Sequence, residues 1–390
     1  MFKKTALILP DGFDNFNFGP GHPLQWERVI YTMELINLYG LDTLKNAILI
    51  APIKAEEDEV YSSHGREYIS ILKGANDGTY EKEYSKFGLG PGDNPVFPGL
   101  YDFALLVLGC TMTAARLIVE KKANAVFNMA GGMHHAMRDR ASGFCFINDI
   151  AIAINYFLEK KMKVMYVDID SHHGDGVQAA FYDTNKVLTL SFHENGQTLF
   201  PGTGFTTETG RDKGKGYSVN IPLKHGSDDT TFIKAFDEIF PPLYDKFNPD
   251  VLVSQVGCDM MLTDPLTNLS LTSSGYVHAV KAMKNKAKRW LVLGGGGYNP
   301  FNTSRLWTLV WAIMNDQELS DRLPLSFAKK AEEIGFTLPG LNDNSYDLDE
   351  WRRQDVMSEV QKGIREIQRE VFPIFKIKVK KRFLDDYFFI

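Results

Sequence analysis

Apolar runs rich in Val, Ile and Leu recur along the chain at AILIA (47–51), FALLVLG (103–109), AVFNM (125–129), KVMYVDID (163–170), VLTLSF (187–192), YSVNI (217–221), VLVSQVG (251–257) and WLVLGG (290–295). Runs of this length without polar alternation are how strands buried on both faces read. Between them, NDIAIAINYFLEKK (148–161) and TFIKAFDEIFPPLYDKF (231–247) space their apolar residues as helices do. The alternation predicts an α/β fold: a single domain, with a mostly parallel multi-stranded sheet and helices on both faces. No internal repeat or low-complexity linker interrupts it.

The pattern changes near the end. NDNSYDLDEW (342–351) reads as a polar loop, and Val356, Val360, Ile364, Ile367 and Val371 mark one face of an amphipathic helix. After Pro373, the alternation FKIKVKK and the apolar end YFFI predict a strand-like tail packed on the body or on another subunit. The expected organisation is a main domain over residues 1–320, with a helical segment and tail over 321–390 packing on it.

Composition narrows the function classes. With 44% hydrophobic and 24% charged residues the chain is ordinary for a globular protein, and a formal net charge of −6 gives no electrostatic footprint for nucleic acid. The start, MFKKTALILPDGF, holds an apolar stretch too short for a signal peptide, and no other run approaches a membrane span, so a cytoplasmic chain with no membrane partner is expected. Cys110, Cys145 and Cys258 lie far apart without CxxC spacing and read as small buried apolar residues. The sequence is silent on oligomeric state.

The chemistry gathers at strand ends. In open parallel sheets, ligand sites form beyond the carboxyl ends of the strands. Four polar constellations fall there: GGMHH (131–135), DIDSHHGDG (168–176), GCD (257–259) and GGGGY (294–298). Five of the nine histidines lie between His134 and His193, which favours a site over scattered surface positions. In extended chain, residues two apart face one side, so Asp170 and His172 can converge on one metal ion. A third ligand from Asp259 would give two oxygens and a nitrogen and leave a position open for water, as catalytic zinc sites do. His134 and His135 can both reach one cavity if the backbone bends there, with Asp168 and Asp175 as the available carboxylate partners. Such a pair suits hydrolysis, one group taking the proton of attacking water and one delivering a proton to a leaving amine. Tyr298, carried on four glycines, can donate to the oxyanion of a tetrahedral intermediate.

These segments resemble the histone deacetylase family, in its class I-like and bacterial acetoin-utilisation branch. The resemblance runs in order through GHPLQWER, AGGMHHAMRDRASGFCFIND, VDIDSHHGDGVQAAFY, SFHENGQTLFPGTG, KGKGYSVNIPL, GCDMMLTDPL and LGGGGYN, over about residues 15–315. It implies an arginase/deacetylase-like fold and one catalytic Zn²⁺ on Asp170, His172 and Asp259, although iron or cobalt suits such a donor set too. It also implies a His134/His135 dyad bonded to Asp168 and Asp175, with Tyr298 polarising the acyl carbonyl. A narrow tunnel is implied, walled by Gly143, Phe144 and Phe200, with Leu266 near its mouth. Arg28 matches the arginine of an internal acetate channel. Asp93 matches a rim aspartate that holds the substrate backbone, in a loop one residue longer than the class I pattern. Two structural K⁺ or Na⁺ sites are implied, one on Asp168, Asp170, His172, Ser191 and Phe192, the other on Phe181, Thr184, Val187 and Tyr217.

Other readings fare less well. Arginase-like enzymes of this fold need two manganese ions, but the further ligand positions hold Gly174 and Met261. A scaffold that had lost catalysis would lack a ligand or the tyrosine, and none is missing. Acetylpolyamine hydrolases are expected to carry an acidic gatekeeper or a long inserted loop. Here the mouth position is Leu266, and no such insertion lies between Ser191 and Gly202. Acyl-lysine on a protein or peptide is therefore the favoured substrate, with acetyl-coenzyme A synthetase as a partner suggested by the acetoin-utilisation branch.

Overall fold

The computed structural model describes residue 2 and residues 4–379. Eight strands form one sheet: β1 (Thr5–Ile8), β2 (Ala47–Ile50), β3 (Ala125–Asn128), β4 (Val164–Asp168), β5 (Val187–Glu194), β6 (Ser218–Leu223), β7 (Val251–Gln255) and β8 (Trp290–Leu293). Their order is β2-β1-β3-β8-β7-β4-β5-β6, and every pairing is parallel. Ten α-helices accompany them among the described residues: α1 (Glu27–Leu38), α2 (Arg66–Gly74), α3 (Leu100–Val119), α4 (Asp149–Glu159), α5 (Asp175–Phe181), α6 (Asp229–Phe247), α7 (Ser273–Lys286), α8 (Pro300–Met314), α9 (Leu325–Glu333) and α10 (Glu350–Glu370).

Five of the eight runs expected as strands are interior strands, β3, β4, β5, β7 and β8, while AILIA and YSVNI supply the edge strands β2 and β6. FALLVLG is the exception. It lies inside α3, a helix of 20 residues that is buried on nearly every side. A short apolar run cannot distinguish a buried strand from a buried helix. By length and composition α3 could also cross a membrane, contrary to the expectation that no run approaches a span, but 72% of its apolar window is buried in this fold. The short strand β1 went unread because its four residues sit in the N-terminal stretch weighed only as a signal segment.

At the end of the chain, α10 packs on α6 and β6. Val356, Val360, Ile364, Ile367 and Val371 are all buried there. Burying an aliphatic side chain contributes roughly 1.5–3 kcal/mol, so this stripe suffices to hold the helix. Residues 375–379 form no strand, and Phe375 instead meets Tyr217 with ring centroids 5.1 Å apart. The rest of the expected tail, residues 380–390 including YFFI, lies outside the described residues.

The strand order decides where chemistry can gather. The four polar constellations leave the carboxyl ends of β3, β8, β7 and β4, which are four consecutive central strands.

Candidate active site

The His134/His135 segment is shaped by a turn after β3. Gly132 has φ +102°, a left-handed conformation that glycine adopts without strain, and an added Cβ would lie 2.8 Å from the Gly295 nitrogen of the neighbouring loop. Asp149, at the start of α4, is fully buried and accepts hydrogen bonds from the Gly132 and Met133 N–H groups at 3.0 and 2.8 Å. The backbone thus bends, and the two imidazoles lie with centroids 4.0 Å apart. His134 Nδ1 lies 2.8 Å from Asp168 Oδ2, and His135 Nδ1 lies 2.7 Å from Asp175 Oδ1. Asp168 also accepts from the Tyr166 hydroxyl at 2.6 Å.

The two rings are electrostatically unequal. Burial works against charge on His134, but the Asp168 and Asp170 carboxylates push it up to about 9. Burial and the neighbouring His134 charge push His135 down to about 4.

Asp170, His172 and Asp259 form a buried cluster, the one group of three such residues among the described residues whose ligand atoms all lie within 4.8 Å. His172 Nδ1 is 3.1 Å from Asp170 Oδ1 and 2.8 Å from Asp259 Oδ2. Two buried carboxylates facing one imidazole are a donor set that a divalent cation satisfies. Gln255 fixes the cluster from behind, donating to Asp170 Oδ2 at 2.6 Å, while the Gly296 N–H donates to the same oxygen at 2.7 Å. At Gly296 a Cβ would lie 2.2 Å from Asp259 Oδ2, so this approach requires glycine. The two positions that would ligate a second divalent metal, Gly174 and Met261, offer no such donor. A Cβ on Gly174 would already be 2.4 Å from Asp168 Oδ2, and Met261 is buried.

Tyr298 follows the glycines, its N–H donating to Asp264 Oδ2 at 2.7 Å. Its ring stands edge-on to His172 and to Phe144, with centroids at 6.3 and 5.7 Å. Phe200, 44% exposed, meets His135 at 5.0 Å and His172 at 6.4 Å. Gly143 completes this wall, since a Cβ there would lie 2.4 Å from His135 and 2.9 Å from Phe200. Leu266 is half-buried on the loop after Asp264, whose Oδ1 accepts its N–H at 3.0 Å. Phe144, Phe200 and Tyr298 thus gather in ring contacts around His135 and His172, beside the dyad and the Asp–His–Asp cluster.

The remaining expected residues lie at different distances from this centre. Arg28, buried on α1, donates to the carbonyls of Gly295 and Gly297 at 2.7 and 3.1 Å and leaves its Nε without a partner. Asp93 is exposed, and its carbonyl accepts from His22, whose ring packs 4.6 Å from Phe144. Ser191 pairs with Asp168 across β4 and β5, with Phe192 next to it. Phe181 and Thr184 share the turn after α5, and Val187 opens β5 near Tyr217, whose carbonyl accepts from Thr189.

Sequence reasoning gave no role to Asp149, Tyr166, Gln255, Asp264 or His22. All five stand inside segments already quoted, Gln255 within VLVSQVG. The signal was a polar residue in an otherwise apolar context, as with Asp149 at the head of DIAIAI.

Comparison with known proteins gives the family. Residues 22–314 match the model of the histone deacetylase domain. The chain belongs to the histone deacetylase family. The type-1 histone deacetylase 1 of Dictyostelium discoideum is 39% identical over 325 residues, covering 83% of this chain and 65% of that relative, just under two thirds of its length. Histone deacetylase 9 of Arabidopsis thaliana is 38% identical over 353 residues, 88% of this chain and 82% of that relative. Among solved structures, an HDAC homolog from Aquifex aeolicus superposes with a TM-score of 0.83 at 32% identity, covering 93% of this chain and all (100%) of that one. An HDAC homolog complexed with SAHA gives the same values. The family's members are deacetylase hydrolases, and this chain has the buried Asp–His–Asp cluster that could bind a metal.

Proposed function

We propose that the chain is a zinc-dependent hydrolase that removes acetyl or other acyl groups from the lysine side chains of proteins and releases acetate. The observation that carries the reading is the convergence of two carboxylate-paired histidines, the Asp–His–Asp cluster and Tyr298 at one site, with Phe144 and Phe200 packed against it. A Zn²⁺ held by Asp170, His172 and Asp259 supplies, when bound, an electrophile for the acyl carbonyl and acidity for the attacking water. His135 takes the proton of that water and afterwards protonates the leaving lysine amine. His134, kept cationic by Asp168, assists the developing negative charge, and the Tyr298 hydroxyl donates to the oxyanion.

Gly143, Phe144 and Phe200 enclose the lysine methylenes, while Leu266 and Asp93 lie at the entrance, Asp93 accepting from the substrate backbone. Arg28, with its free Nε, offers acetate a route out on the inner side. K⁺ or Na⁺ at the two backbone sites would stiffen the strand ends that carry Asp168 and Asp170. Acetylated proteins such as acetyl-coenzyme A synthetase are the proposed partners, and the cytoplasm the proposed location.

Metal analysis of active protein should find close to one transition-metal ion per chain. Two tightly held manganese ions, both required for activity, would overturn the ligand assignment.

Hydrolysis of acetylated polyamines is the second reading, favoured by exposed Asp93, which could pair with a terminal ammonium. The deciding measurement is kcat/KM on an acetyl-lysine peptide against acetylated spermidine and putrescine. The peptide should be preferred, because a polyamine ammonium beside Leu266 loses hydration without gaining a carboxylate. Leu266→Glu should raise polyamine turnover relative to peptide. A tenfold preference of the wild type for acetylpolyamine, about 1.4 kcal/mol in the transition state, would replace the first reading by the second.

A further inference from the structure

Glu194 closes β5, is 1% exposed, and has no part in the chemistry above. Its Oε1 accepts from the Thr198 hydroxyl at 2.8 Å and from Asn268 Nδ2 at 3.0 Å. Its Oε2 accepts from the Asn268 N–H at 2.8 Å, with the Thr267 hydroxyl at 3.4 Å. A carboxylate withdrawn from water requires several donors, and here they come from two surface loops, since both Thr198 and Asn268 are exposed residues. Thr198 stands two residues before Phe200, and Asn268 two residues after Leu266.

The two loops reach the site through different residues. Phe200 packs on His135 and His172, whereas the 264–268 loop is tied through Asp264 to the N–H of Tyr298, whose ring is edge-on to His172. The second loop is therefore held at one end by Asp264 and at the other by Glu194. Glu194 is fixed in turn to the Asp–His–Asp cluster, because its N–H donates to the Ser171 carbonyl at 2.9 Å and the Ser171 N–H donates to Asp259 at 2.7 Å.

We infer that Glu194 is a positioning residue that sets the gap between the Phe200 and Leu266 loops, and so selects substrates by the bulk flanking the acyl-lysine stem. The inference rests on the deacylase reading of the site. Glu194 touches no reacting atom, so the gap and not the chemical step is what it controls.

The test uses the full chain with its metal and two hydroxamates of one alkyl linker, one without a cap and one with a bulky aryl cap. Thr198→Val removes the first loop's hydroxyl bond to the carboxylate, Asn268→Ala removes the second loop's side-chain bond while its backbone N–H still reaches Glu194, and the double variant closes the cycle. Each single variant should leave the capless Kd and the metal content unchanged while shifting the capped-to-capless ratio by about twofold or more, with clear non-additivity in the double variant. Glu194→Gln, which keeps volume and an acceptor, should stay closer to wild type than Glu194→Ala. If Glu194→Ala does not fold, the loop variants decide.

An unchanged ratio, or single effects that simply add, would overturn the inference even if the melting temperature falls. Because hydroxamate binding needs no turnover, protein that binds both compounds but fails on acetyl-lysine loses only the substrate reading. Wild type that binds neither compound overturns both.

Discussion

His135→Ala is expected to lower kcat on an acetyl-lysine peptide by about 10²–10⁴-fold, the range for removing a positioned general acid–base, and to do more damage than His134→Ala. The two rings are 4.0 Å apart and each has its own carboxylate, yet only one is placed to accept a proton at neutral pH. Burial and the charge on its neighbour push His135 down to about 4, so it is neutral at pH 7 and its free ring nitrogen is open to accept a proton. His134, which the carboxylates push up to about 9 against its burial, is already protonated. Activity should therefore fall as pH drops through the His135 value, because the base becomes charged, and fall again as pH rises through that of His134, because the cation is lost. A divalent ion at the adjacent cluster repels both imidazolium forms and moves both limbs toward acid. A pH profile of kcat/KM for each variant checks the assignment, with the alkaline limb weakened in His134→Ala. A larger loss in His134→Ala would exchange the two roles.

The sheet was legible because its strands, apart from partly exposed β2, are buried on both faces and so appear as uninterrupted apolar runs. The same property caused the main error. FALLVLG in α3 is as apolar as any strand, and only the extent of the helix, through Val119, separates it from one. β1 was missed for another reason, since its residues lie in the N-terminal stretch read only as a candidate signal segment. The two errors offset each other, so DIDSHHGDG was still placed at the end of the fourth strand, where it stands.

At the site, the spacing of Asp170 and His172 and the placing of polar residues at strand ends were enough to suggest which residues meet. The order of strands was not available, since nothing local tells a chain that β8 and β7 lie between β3 and β4. That order is what puts Asp259 and Tyr298 beside the histidines. The supporting residues were harder still. Gln255 and Asp264 act through bonds to a carboxylate and to a backbone N–H that exist only after the loops have met. Glu194 is the extreme case, a charged residue at the end of a strand whose burial depends on two loops closing over it.

Tyr298→Phe is expected to lower kcat by about 10²–10³-fold, equivalent to roughly 2.7–4 kcal/mol, while substrate affinity changes far less. The substitution keeps the ring, and with it the edge-on contacts to Phe144 and His172 at 5.7 and 6.3 Å. The backbone N–H bond to Asp264 is also untouched, as are the Arg28 bonds to the carbonyls of Gly295 and Gly297 that hold the loop from behind. Only the hydroxyl is lost. Burial, with the nearby Asp259 and Asp170, raises the Tyr298 phenol well above its ordinary range, so it stays protonated and acts as a donor. A donor aimed at charge that develops only in the transition state should appear in kcat and leave the binding of an unreacted amide nearly intact. Single-turnover kinetics together with hydroxamate Kd would separate the two effects. Near-full kcat in the variant would make Tyr298 a wall residue and leave the oxyanion without its protein donor.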